Sequence, residues 1–153
     1  MKKLITFLLA LILIVTNQLA VATGVFEKNF TGTQKEYFLD GKPKYEVSVI
    51  KGKKQGVETF WYPNGNKNIQ TNYVDDLEDG VWYQWFESGK LKLEANYKAG
   101  QEHGSFKRWH ENGQLAAETQ FVQGKKEGVE TAWNKDGSVR YKTTYVNGQE
   151  VKE

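Results

Sequence analysis

The chain has 153 residues, with 21 basic and 19 acidic side chains, 14% aromatic residues, two prolines and no cysteine. Without cysteine there are no disulfides, zinc–thiolate sites or thiol catalysis. Two of the lysines, Lys2 and Lys3, fall in residues 1–22, a stretch without acids; the remainder carries 21 − 2 = 19 basic against 19 acidic residues and offers no electrostatic footprint for nucleic acid.

Residues 1–22 read as an export signal. Lys2 and Lys3 supply the positive start, Leu4–Val15 the apolar run, and Ala20-Val21-Ala22 a small-residue cleavage site ahead of Thr23. The expected location is exported: periplasm, cell surface or extracellular. A retained leader would instead be a membrane anchor, although its apolar run falls short of the ~20 residues of a full span unless Leu19–Ala22 extends it. Residues 23–31 follow as an N-terminal edge segment, with Val25, Phe26 and Phe30 expected to cover the first strand.

From residue 32 the chain repeats itself every 24 residues, through 32–55, 56–79, 80–103, 104–127 and 128–151. Each unit opens on a glycine (Gly32, Gly56, Gly80, Gly104, Gly128). Position six carries a ring: Tyr37, Trp61, Trp85, Trp109 and Trp133. Position ten is again glycine: Gly41, Gly65, Gly89, Gly113 and Gly137. A fixed period of this length marks a repeat architecture. Within a unit the pattern alternates, as in Leu91, Leu93, Ala95 and Tyr97 with Lys92, Glu94 and Asn96 between them. Period two is the signature of a strand with one covered face.

The first half of each unit is extended in the same way, for instance Val81, Tyr83 and Trp85. Between the halves stand Asn64-Gly65, Ser88-Gly89, Asn112-Gly113 and Asp136-Gly137, pairs that supply the positive φ of a hairpin turn. Each unit is thus predicted to be a β-hairpin, joined to the next by a connector such as Lys51–Gln55 or Gln123–Glu127. An isolated hairpin does not hold in water, so the units must lie edge to edge. The fold class is all-β, one elongated antiparallel sheet of about ten strands. The last strand, near Tyr145, is expected to be an open edge available to a partner.

The Gly-x-x-x-x-Trp opening, the Asn-Gly turn and the following Glu-x-x-Tyr-x-x-Gly run resemble the bacterial variant of the MORN repeat. The likeness is clearest at Gly80–Gly100 and Gly104–Gly124 and covers Gly32–Val151, with Tyr37 and Val49 departing from it in the first unit. The resemblance implies a non-enzymatic scaffold that contacts proteins, with membrane lipid as a partner of some members. It also includes proteins labelled antitoxins of toxin–antitoxin pairs.

Five rings, Phe60, Tyr62, Trp82, Phe86 and Phe106, have the opposite parity to the position-six tryptophans and cluster in units two to four. They are the expected partner-binding set. The alternative is that a curled sheet packs both faces. Trp61, Trp85, Trp109 and Trp133, with Gly65, Gly89, Gly113 and Gly137, are read as structural. A protein is the expected partner, and membrane lipid or cell-wall polymer the further classes.

The acidic connector Asp75, Asp76, Glu78, Asp79 lacks the alternating ligands and turn glycine of a calcium loop and reads as a solvated turn. Lys51, Lys53, Lys54, Lys125 and Lys126 read as solubilising connector residues. His103 and His110 have no nucleophile or carboxylate arrangement beside them, so no catalytic, cofactor or metal site is expected.

Overall fold

The computed structural model describes residues 25–151; the leader and the final two residues lie outside the described part. Every regular element there is a strand: β1 Gly32–Tyr37, β2 Pro43–Ile50, β3 Lys53–Trp61, β4 Lys67–Val74, β5 Leu77–Glu78, β6 Gly80–Trp85, β7 Leu91–Lys98, β8 Gln101–Trp109, β9 Leu115–Val122, β10 Lys125–Trp133, β11 Val139–Val146 and β12 Gln149–Val151. They form one open antiparallel sheet in chain order, with β5 beside β4. The count exceeds ten for two reasons. β5 and β6 are one strand interrupted at Asp79, and the C-terminal tail adds β12.

The two kinds of turn exchange the roles expected of them. At the mid-repeat turns, Asn64-Gly65 and its equivalents, only the glycine has positive φ (93° at Gly65), and the Gly65 amide donates to the Tyr62 carbonyl at 2.9 Å. This is a four-residue turn closed by a glycine bulge. The Asn64 carboxamide oxygen secures it by accepting from the Asn66 amide at 2.9 Å. The connectors are the two-residue turns with positive φ at both centres, for example Ala99 (49°) and Gly100 (78°). They are themselves hairpin loops, so strands of neighbouring repeats pair as tightly as strands within one.

Register identifies the covered face. Gln34, Val47, Glu58, Thr71, Ala95, Thr119, Glu130 and their same-parity neighbours face one way. Of the thirteen buried residues, all lie on this core face except Phe26, which is off the sheet, and Thr59. A single layer buries side chains this well because it is bent. Each intact hairpin shifts register at its position-six ring, and the long strands β3, β8 and β10 shift again around their opening glycines. Such irregularities increase local twist.

Size alternation completes the covering. Position three is long or aromatic in the middle repeats (Glu58, Trp82, Phe106, Glu130), and position sixteen is small (Thr71, Ala95, Thr119, Thr143). Ala95, only 1% exposed, lies in register between Trp82 and Phe106.

Residues 25–31 do not pair with β1. Phe26 and Phe30 stack with ring centroids 6.1 Å apart and pack with Tyr45, Val47 and Val49 on the core face, while Val25 points outward. The segment therefore caps the first hairpin from its face, and β1 keeps a free edge among the described residues. At the other end the expectation also changes. Asn147-Gly148 folds the tail back so that Gln149, Glu150 and Val151 pair with Val146, Tyr145 and Thr144, and among the described residues the free edge passes to β12.

Candidate functional site

The five rings of the expected contact set divide between two places. Phe60, Trp82 and Phe106 lie on the core face, opposite Tyr45, Ala95 and Thr119 respectively, and all three are half-buried. The Phe60 ring lies 4.7 Å from that of Tyr45, and the Phe106 ring 5.6 Å from that of Phe121. Trp82 and Phe106 flank the small Ala95, whereas Phe60 lies between Tyr45 and Ile69, and all three rings stay partly exposed.

Tyr62 and Phe86 stand at the turn end of the hairpins. The Tyr62 hydroxyl donates to the Trp85 carbonyl at 3.0 Å, tying repeat two to repeat three. His110, two repeat lengths further on, does the same from its Nε2 to the Trp133 carbonyl at 2.9 Å, which requires the proton on that nitrogen. The histidine stands at position seven, the place held by Phe38, Tyr62, Phe86 and Asn134 in the other repeats, so the tie belongs to the repeat and not to histidine chemistry.

Further ties run along the turn end: Asn64 and Asn66 donate to the Glu87 carbonyl at 2.8 Å each, and Asn112 donates to that of Lys135 at 2.7 Å. At the opposite end the Gly52, Gly100, Gly124 and Gly148 amides reach the carbonyls of Phe30, Glu78, Glu102 and Lys126 at 2.8–2.9 Å. Asp76, which stands in place of the second connector glycine, makes the same bond and also accepts from the Lys54 amide at 2.7 Å. Asp79 accepts from the Ala99 amide at 3.2 Å. Two carboxylates of the acidic connector thus serve neighbouring turns.

The structural tryptophans stand where the register shifts. Trp85 shares the face of Tyr83, ring centroids 5.5 Å apart, with the Lys67 ammonium 5.6 Å from its ring. Trp109 and Trp133 line a recess of about 290 Å³ together with Phe86, Arg108, Arg140 and Tyr141. Phe86 is the member of the expected contact set that borders it.

Two ion-paired sets bracket the central repeats. Across the junction of repeats one and two the Lys54 ammonium meets Glu58 at 2.6 Å and lies 4.8 Å over the Tyr73 ring, while the Tyr45 hydroxyl donates to Glu58 at 2.7 Å. Across the junction of repeats four and five Lys126 pairs with Glu130 and lies 4.8 Å over the Tyr145 ring, and the Tyr141 hydroxyl donates to Glu130 at 3.3 Å. Burial, reinforced by Glu58, pushes the Tyr45 and Tyr73 phenols well above their ordinary range.

Between these sets Glu78 and Glu102 face the same way, opposite Tyr73 and Tyr97. Burial raises the pKa of both carboxyls; like charges add to the effect at Glu78, where Lys54 opposes it, and Lys126 opposes it at Glu102. In the folded chain these groups hold their protons to a higher pH than in the unfolded chain. Their contribution to stability is full below the ordinary carboxylate value and is lost as pH rises through the elevated one. The Glu78→Gln/Glu102→Gln variant is therefore expected to melt higher than the parent at pH 7 and equally at pH 3.5. Thermal denaturation at the two pH values checks this, and an unchanged difference between them would refute it.

Tandem hairpins tied to one another at both ends, with one face covered and partly aromatic, define a β-repeat protein. The repeats are those described as MORN repeat variant, matched at residues 30–51, 54–75, 78–99, 102–123 and 126–147, and the chain belongs to that family. No curated protein matches the chain. Repeats of this kind are in general non-enzymatic and mediate binding to proteins or membrane lipid.

Proposed function

We propose that the chain is an exported, non-catalytic scaffold that binds another protein through the rings of its central repeats. The observation that carries this reading is the run of Phe60, Trp82 and Phe106 on one face, half-buried and bracketed by the ion pairs at Glu58 and Glu130. Aromatic side chains held rigid on a scaffold are enriched at protein contacts because they bury much area with little conformational entropy to lose. Tyr62 and Phe86 extend the surface toward the turn end. The position-six tryptophans and the turn glycines hold the register that keeps these rings in line. Export rests on the charge and apolar pattern of residues 1–22.

Co-purification from the producing cell is expected to yield a stoichiometric protein partner. Phe86→Ala weakens that binding by about tenfold or more and leaves the melting temperature nearly unchanged, whereas Trp85→Ala lowers melting clearly. Equal unfolding by the two substitutions would make Phe86 structural and remove it from the contact surface. A toxin as the captured protein would specify the function as antitoxin or immunity-type inhibition. Salt-sensitive sedimentation with anionic vesicles, or pelleting with cell-wall polymer, in place of a protein partner would overturn the protein-binding reading. Recovery of an unshortened chain from the cytosol would contradict export.

A further inference from the structure

The chain contains only two arginines, Arg108 and Arg140, and both line the same recess. They come from different repeats and different positions within the repeat, five and thirteen, so periodicity does not account for their meeting. All six salt bridges among the described residues use lysine, and neither arginine has an ion pair, hydrogen bond or ring contact there. Lys92 adds a third cation, its ammonium 5.7 Å from the Phe86 ring, and no carboxylate residue lines the recess.

Sequence opens the space. Ala132 occupies position five, where other repeats carry Glu36, Phe60 or Gln84, and Ala116 occupies position thirteen, where they carry Lys44, Asn68 or Lys92. Arg108 pairs in register with Ala117, Ala117 with Ala132, and Ala132 with Tyr141. Ala116 and Ala132 both line the recess, so small side chains border it where the other repeats carry longer ones.

We infer that this recess is the docking site for an acidic protein segment, whose carboxylates pair with Arg108 and Arg140 while an apolar side chain lies against Trp109 and Trp133. The inference rests on the protein-binding reading above and specifies the partner's chemistry. A guanidinium grips a carboxylate with two parallel hydrogen bonds, and two unpaired ones lining an acid-free recess complement a pair of negative charges. The arginines are three strand steps apart, ~14 Å at ~4.8 Å per strand, a distance that about four residues of extended chain cover at ~3.3 Å each. The aromatic walls favour a peptide over a lipid headgroup. The exposed connector lysines suited to a membrane surface, Lys51 and Lys53, lie at the opposite end of the hairpins.

Titration of the protein with a hexaglutamate peptide at low salt, followed by tryptophan fluorescence, tests the inference, because Trp109 and Trp133 report occupancy. The expected result is saturable binding, weakened about tenfold or more in Arg108→Gln/Arg140→Gln with melting unchanged. The same peptide should bind normally to Lys51→Gln/Lys53→Gln, which removes the same charge elsewhere. No binding to the parent, or an equal loss in both double variants, would overturn the proposal. Binding of phosphatidylglycerol vesicles or inorganic phosphate without binding of the peptide would overturn it too. A captured protein partner that depends on Phe86 but not on the arginines would refute this inference and leave the scaffold reading standing. Peptide binding at the arginines with no protein partner captured would place the failure in the scaffold reading.

Discussion

Glu58→Ala is expected to destabilise the chain by about 3–5 kcal/mol, a large share of the ~5–15 kcal/mol that holds a typical domain folded. The Glu58 side chain is only 4% exposed, and its Oε1 takes both the Lys54 ammonium at 2.6 Å and the Tyr45 hydroxyl at 2.7 Å. Removing the carboxylate leaves a cation that is 16% exposed without its counter-charge, and a hydroxyl without its acceptor. The loss thus comes mainly from what is stranded. The triple replacement Tyr45→Phe/Lys54→Met/Glu58→Leu should recover most of it, since it leaves neither a cation nor a buried hydroxyl without its partner. Glu130→Ala provides the internal comparison. Its lysine is 33% exposed and its tyrosine contact is longer, 3.3 Å, so the effect should be smaller. Urea denaturation of the four proteins decides the matter; a Glu58→Ala loss below about 1 kcal/mol, or one equal to that of Glu130→Ala, would contradict this account.

The second large effect concerns Gly52. Its φ of 77° already disfavours a side chain, and a Cβ there would come within 2.7 Å of the Glu27 carbonyl oxygen and 2.9 Å of the Lys28 Cα. Both are backbone atoms of the segment that lays Phe26 and Phe30 onto Tyr45, Val47 and Val49. Gly124 is the matched control: φ is 75°, and nothing lies within 4 Å of an added Cβ. Gly124→Ala should cost about 1–2 kcal/mol from backbone strain alone. Gly52→Ala should cost about 3 kcal/mol or more, because the N-terminal cap must also lift. Proteolysis ahead of Phe30 should accelerate in Gly52→Ala and not in Gly124→Ala. Equal destabilisation by the two would mean that the cap contributes nothing to the first hairpin.

Much of this architecture is legible in the residues. Alternation over Leu93, Ala95 and Tyr97 is reproduced as one shared face, and the 24-residue spacing marks which residues are equivalent. The parity split between Trp85 and its neighbours is likewise visible, in the contact of Trp85 with Tyr83. Harder to read is which turn does what. Asn-Gly and Asp-Gly are the familiar two-residue hairpin pairs, yet Asn64-Gly65, Asn112-Gly113 and Asp136-Gly137 have positive φ at the glycine alone. The turns with positive φ at both centres fall at Lys51-Gly52, Asp75-Asp76, Ala99-Gly100, Gln123-Gly124 and Asn147-Gly148, of which only the last is such a pair. Turn type follows the twist and spacing of the flanking strands, and dipeptide preference is only one contribution to it.

The candidate surface is less legible than the fold. Periodicity identifies Phe60, Trp82 and Phe106 as a group, because alternation is a local property of the backbone. It does not reveal that Trp82 and Phe106 close over Ala95 while Phe60 packs on Tyr45, since that depends on how far the sheet bends at its register shifts. Nor does it reveal that Arg108 and Arg140, which are not equivalent in the repeat, border one recess.

By itself, then, the sequence determined the repeat, the hairpin and the two-faced strand, because each depends on interactions within a few residues. The tertiary structure alone decided which face is covered, what ties one hairpin to the next, and where the two arginines meet. Those outcomes depend on cross-strand register, which the bulges set and no single repeat contains.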